Sequence, residues 1–165
     1  MSEVEPAADR RLHESLAKQI NGEVWSLLDK PDRTVEEDER LVLAAHASAY
    51  HWLHAGTAVH RQRGEWRLAH VHTVLGREAP ARHHARRCLA LTETFAAEMK
   101  DFDAAYAYEA VARAEALGED TEPARRYLQL AETQGARIAD EEDRTIFLAD
   151  LQRGPWFGLG AQGAT

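Results

Sequence analysis

Cysteine is almost missing from this chain. Cys88 stands alone, so no internal disulfide can form and no cysteine pair is available for structural zinc. Its neighbours Leu89 and Leu91 mark it as a core thiol, not a nucleophile. A lone thiol suits a reducing compartment, and the expected location is the cytoplasm. Long apolar runs are missing too: none approaches the ~20 residues that a membrane span needs. The opening MSEVEPAADRR is polar and has no apolar signal core. Positive charge is in deficit, with a net charge of -8, which argues against a general nucleic-acid or anionic-membrane binder. There is no HExxH and no other catalytic signature, so no cofactor is expected and the chain reads as a binding protein before an enzyme.

What is present is ordinary for a globular protein. The chain has 165 residues, 44% hydrophobic and 29% charged, which fits one domain. A chain of this size buries roughly 70% of its unfolded surface and needs no covalent staples. Nine histidines are the exception, six of them between residues 41 and 80. Protonating all nine would bring the net charge to about +1, so solubility should fall in mild acid.

Apolar residues recur at helical spacing throughout, and no strand alternation competes. The fold class is therefore all-α, about seven helices paired as antiparallel hairpins. Leu12, Leu16, Ile20, Val24, Leu27 and Leu28 form the stripe of a helix over 7–29, with a bend possible at Asn21-Gly22. Thr34 and Glu37 form a capping box that opens a long helix over 35–62. The acids at 36–39 suit its positive dipole end. Arg63-Gly64 reads as a turn, followed by helices over 65–76, 80–98, 102–117, 121–138 and 141–152. The helix over 102–117 is so rich in alanine that it should sit centrally, where helices approach closely. The tail 153–165 is too rich in glycine for a helix, but Trp156, Phe157 and Leu159 can dock on a neighbouring surface or join two copies into a homodimer.

Two segments echo each other: Ala85-Arg86-Arg87-Cys88-Leu89-Ala90-Leu91 and Ala124-Arg125-Arg126-Tyr127-Leu128-Gln129-Leu130. Each follows a helix ended by glycine and then a proline. Gly64-Glu65-Trp66 and Asp101-Phe102-Asp103 open the preceding helices in a similar way. Recurrence of this kind marks a helical repeat array. With Trp52, the small pair Ala55-Gly56, the Arg63-Gly64-Glu65-Trp66 turn and Pro80, the stretch 38–152 resembles tetratricopeptide-type repeats in a right-handed array. It also looks like a group of bacterial proteins of unknown function with such repeats. The resemblance implies a non-catalytic scaffold that binds a peptide or protein on the face formed by the first helix of each pair.

Advancing about 100° per residue along 35–62 puts His46, Tyr50, His54, Thr57 and Arg61 on one side. Leu41, Ala45, Ser48, Trp52, Gly56 and Val59 form a packing seam on the other. The first face can hydrogen-bond and stack, and its histidine, tyrosine and arginine suit an acidic or phosphorylated partner. Tyr106, Glu109 and Arg113 share a face of the alanine-rich helix and are expected to look into the same groove. The competing reading buries these residues with their polar atoms satisfied internally. The histidines open another alternative, a metal or small-molecule site, or a metal-dependent enzyme built on it. His46 with Tyr50 and His51 with His54 share helix faces, whereas His70 diverges from His72, and His83 from His84. Spacing alone therefore selects no metal ligand. The arginines at 61, 63, 67, 77, 82, 86 and 87 form a basic band, expected to pair with the acidic runs at 36–39 and 140–143.

Overall fold

The protein is described here from a computed structural model that covers residues 4–159, with side chains from residue 8 onward. Seven α-helices follow one another: α1 (Val4–Leu28), α2 (Val35–Ala55), α3 (Ala58–Val74), α4 (Glu78–Thr94), α5 (Asp101–Leu117), α6 (Thr121–Gly135) and α7 (Glu141–Gln152). One 3-10 turn, Ala96–Glu98, lies between α4 and α5, and no strand occurs among the described residues. Neighbours in sequence pack as neighbours in space, most closely α1 with α2, α3 with α4 and α5 with α6. The array is all-α, as the periodicity predicts.

Its core is three apolar clusters along the array. Val24, Leu27, Leu41, Leu68 and Val71 join α1 to α3. Ala69, Ala81, Ala85, Val111 and Ala114 join α3 to α5. Ala105, Ala131, Ile138, Phe147 and Leu151 join α5 to α7. Helix α5 belongs to two of them and touches α3, α4, α6 and α7. Its alanines at 105, 107, 110, 112, 114 and 116 are all buried, since small side chains let four helices crowd around one axis. Cys88 is fully buried on α4, and burial pushes its thiol pKa up, so it is a core residue and a poor nucleophile.

The first hairpin differs from the sequence expectation. The helix expected over 35–62 breaks at Gly56-Thr57, and Arg63-Gly64 lies inside α3 instead of forming the turn. Gly56 is extended, and its N–H closes α2 on the Trp52 carbonyl at 2.8 Å. A Cβ at position 56 would stand 2.7 Å from that carbonyl oxygen and 2.7 Å from His60 Cβ, so only glycine fits. Thr57 then starts α3, its backbone N–H donating to His60 Nδ1 at 3.2 Å. Gly64 instead packs over Ala49, where an added Cβ would meet the Ala49 methyl at 3.6 Å. Asn21-Gly22 does not interrupt α1.

Two successive helix pairs start at the same spacing, in a register other than the one the echo suggests. Helices α3 and α5 start at Ala58 and Asp101, and α4 and α6 at Glu78 and Thr121. The helix ends keep the same spacing: Gly76 (φ 66°) and Glu119 (φ 59°) both have left-handed φ. At the first end Arg77 N–H bonds the His72 carbonyl, and at the second Asp120 N–H bonds the Glu115 carbonyl. The arginine-rich echo therefore lies about one helical turn out of structural register. Glu119 holds a conformation that costs a non-glycine residue about 1–2 kcal/mol. Glu119→Gly should stabilise the protein by about 0.5–1 kcal/mol, net of the added unfolded-state entropy. Urea titration would measure it, and a destabilised variant would contradict this account of the turn.

Candidate functional site

Three histidines from three helices meet at the α2–α3–α4 junction. His46 comes from α2, His72 from the last turn of α3 and His84 from the middle of α4. Each offers one ligand-capable ring nitrogen, and the three nitrogens lie within 4.8 Å of one another. The rings of His72 and His84 are parallel, with centroids 5.6 Å apart. His46 stands edge-on to both, at 6.0 and 5.5 Å. Helix geometry explains the convergence. Leu68 and Val71 pin one side of α3 into the first core cluster, which carries His72 inward with them. Ala81, Ala85 and Cys88, all fully buried, set the rotation of α4, and His84 falls beside that stripe.

The chemistry around the three rings is specific. His84 Nδ1 lies 2.7 Å from Glu65 Oε2. A carboxylate only accepts, so Nδ1 carries the proton and Nε2 of the neutral ring keeps a free lone pair. Arg87 Nε donates to the other Glu65 oxygen at 2.9 Å and holds the carboxylate in place. Burial pushes the Glu65 carboxyl pKa up, but the hydrogen bonds from His84 and Arg87 outweigh it and leave it below the usual range. His72 is buried, and its Nδ1 has no hydrogen-bond partner among the described residues. Burial, His84, His46 and Arg77 together hold its pKa near 4, so the ring is neutral at pH 7. His46 is lowered as well, by partial desolvation and then by His84, although its side chain is the exposed one of the three. Beside the group lies an open cavity of about 420 Å³, lined by His46, His84, Glu65, Tyr50, Arg61 and Arg87 among others.

The residues singled out from the α2 wheel separate. His46, Tyr50 and Arg61 do line this cavity. His54 does not: it stacks on His13 of α1 at 4.3 Å, beside a His13–His51 contact of 2.7 Å. Thr57 is the α3 cap residue described above. Tyr106, Glu109 and Arg113 do not share the cavity of Tyr50, because the bulk of α3 lies between; they face α1 and α7 instead. There Glu109 and Arg113 are buried and ion-paired, with Trp66 Nε1 donating to Glu109 at 3.0 Å. Tyr106 donates to Asp150 at 2.7 Å. Four arginines of the band form ion pairs, none of them with the acidic runs at 36–39 or 140–143: Arg63 with Asp103, Arg82 and Arg86 with Glu115, and Arg87 with Glu65.

No protein-family model matches the chain, and neither a curated protein nor a solved structure matches it. The site stands on its own geometry. His72 and His84 were not selected by sequence spacing. One signal was available: His72 follows Leu68 by four residues and Val71 by one, so it lies on the apolar side of α3, where a solvated histidine does not belong.

Proposed function

We propose that this chain binds a transition-metal ion through His46, His72 and His84 and presents it to an organic ligand in the adjoining cavity. One observation carries the reading: three imidazoles from three helices bring their ring nitrogens within 4.8 Å of one another, beside an open space. Three histidines with an open fourth position match the donor set of catalytic zinc sites, and imidazole also suits copper, iron and nickel. Tetrahedral ligands at ~2.0–2.1 Å from a metal lie about 3.3 Å apart, so the rings must close in slightly. His46 is exposed and can rotate to do so. The Glu65–His84 hydrogen bond supplies the outer carboxylate that commonly orients a metal-bound histidine. A metal bound here would act as a Lewis acid on a ligand oxygen.

Titrating untagged protein with Co²⁺ tests the reading. Expected is one equivalent bound, with visible d–d absorption that His72→Ala and His84→Ala both abolish. Absorption unchanged in both variants would defeat it.

A second reading keeps the scaffold implied by the tetratricopeptide resemblance. Leu43, Tyr50 and Leu53 are 70%, 55% and 62% exposed along one stripe of α2, a face that a peptide helix can cover. If Tyr50→Ala combined with Arg61→Ala leaves every co-purifying protein in place, that reading fails.

A further inference from the structure

We infer that a second cleft, between α1, α3 and α5, binds a flat aromatic molecule that carries an anionic group. The cleft is a cavity of about 250 Å³ walled by Trp25, Trp66, Phe102 and Tyr106, with Arg67 at its side. It uses a different face of α3 from the histidine centre and does not depend on it.

One aromatic wall is firmly anchored. Trp66 is fixed from three directions: its indole N–H donates to Glu109, His70 stacks on it at 5.3 Å and 6°, and Tyr106 meets it edge-on at 5.3 Å. Trp25 faces it at 6.2 Å and 33° and remains 37% exposed. A pre-positioned pair of indoles gives stacking area without an ordering cost at the moment of binding.

The charge balance says what kind of ring fits. Arg63 and Asp103 neutralise each other through two hydrogen bonds, at 2.8 and 3.1 Å. Asp150 accepts from Tyr106 at 2.7 Å and has Arg153 at 3.7 Å. Arg67 alone is left over. Among the described residues no carboxylate pairs with it, its Nε is buried without a hydrogen-bond partner, and its nearest compensation is the face of Trp25 at 5.9 Å. Burial lowers its pKa to about 10, the sign of a cation short of solvent and of counter-charge. Arg67 is half-buried, so its unpaired charge is only partly hydrated. An anionic group held beside the indoles supplies Arg67 with a counter-charge and gains a charge-assisted hydrogen bond.

The test is NMR of the tryptophan indole N–H signals in the full chain. The probes are naphthalene-2-sulfonate, its neutral counterpart naphthalene-2-sulfonamide, and methanesulfonate. Expected is saturable shifting of the Trp25 and Trp66 signals by the aromatic sulfonate, with the neutral ring and the ringless anion each binding at least tenfold more weakly. Arg67→Met should weaken the sulfonate at least tenfold while melting at or above the wild-type temperature, because it removes an uncompensated charge. His72→Ala should bind the sulfonate as wild type does, which keeps this result separate from the fate of the metal site. Equal binding of sulfonate and sulfonamide would overturn the proposal, as would unchanged affinity in Arg67→Met. A lower melting temperature for Arg67→Met would also overturn it, by showing Arg67 to be a structural partner of Trp25.

Discussion

Zinc at a hundredfold excess over its dissociation constant should raise the melting temperature by roughly 5–10 °C. A ligand that binds only the folded state contributes about 2.7 kcal/mol at that excess. For a chain of this size each kcal/mol moves the midpoint by about 2–4 °C. His72→Ala or His84→Ala should remove the zinc-induced shift, and the quantity compared is the difference with and without metal within each variant. That comparison holds even if the substitutions change the baseline. Glu65→Gln should keep the three ring donors and weaken zinc by about 10–100-fold, because the His84 tautomer and orientation depend on the carboxylate. Differential scanning fluorimetry with buffered zinc reads all four proteins. A shift of equal size in wild type and His84→Ala would remove the metal centre from consideration.

Arg113→Ala should destabilise the chain by roughly 3–5 kcal/mol. Arg113 is 3% exposed and ion-paired to Glu109, which is also 3% exposed. Its guanidinium donates to the carbonyls of Arg153 at 2.8 Å, Asp150 at 2.9 Å and Pro155 at 3.2 Å. Its face lies 4.1 Å from the centre of the Trp156 ring. One side chain thus ties α5 to the end of α7 and to the segment after it. Truncation leaves a buried carboxylate with only the Trp66 N–H, and three carbonyls without their donor. Adding Glu109→Gln should recover part of the loss by removing the stranded charge. Urea unfolding of the two single variants and the double would show it. A loss below about 1 kcal/mol for Arg113→Ala would mean that water replaces the guanidinium without penalty.

The same network shows how the tail behaves. Trp156 docks, as its apolar character suggested, and donates to the Leu151 carbonyl at 2.9 Å, whereas Phe157 remains 43% exposed. The tail expectation from residue 160 onward lies outside the described residues. Glu109 and Arg113, read from spacing as partner contacts, are each other's partners in the folded chain. Periodicity put them on one face correctly. It carries no information on whether that face meets solvent or another helix.

Local signals were legible where local physics decides. The Thr34–Glu37 capping box forms as read, with Glu37 N–H to Thr34 Oγ1 at 3.2 Å and Thr34 N–H to Glu37 Oε2 at 2.9 Å. Asp140 caps α7 through Asp143 N–H at 2.9 Å. Glycine was the ambiguous letter. Arg63-Gly64 suggests a turn because glycine breaks helices, yet Gly64 lies within α3 where that helix packs on Ala49 of α2. Gly56 was read as a packing residue within a helix, yet it is the break. Only Gly56 needs its missing Cβ; at Gly64 an added Cβ would make an ordinary contact with Ala49 at 3.6 Å, and the neighbouring helix decides which role each glycine takes.

The sequence by itself determined the helical class, the order of the helices, the central place of the alanine-rich segment and the buried thiol, because each follows from spacing and composition within one element. It could not determine which histidines meet. His46, His72 and His84 lie on three helices, and their approach depends on how Leu68 and Val71 rotate α3 and how Ala81, Ala85 and Cys88 rotate α4. Nor could it show that Arg67 lacks a counter-charge while its neighbour Arg63 has one. Those facts belong to packing, where a rotation of one helix by a single residue, about 100°, exchanges one partner for another.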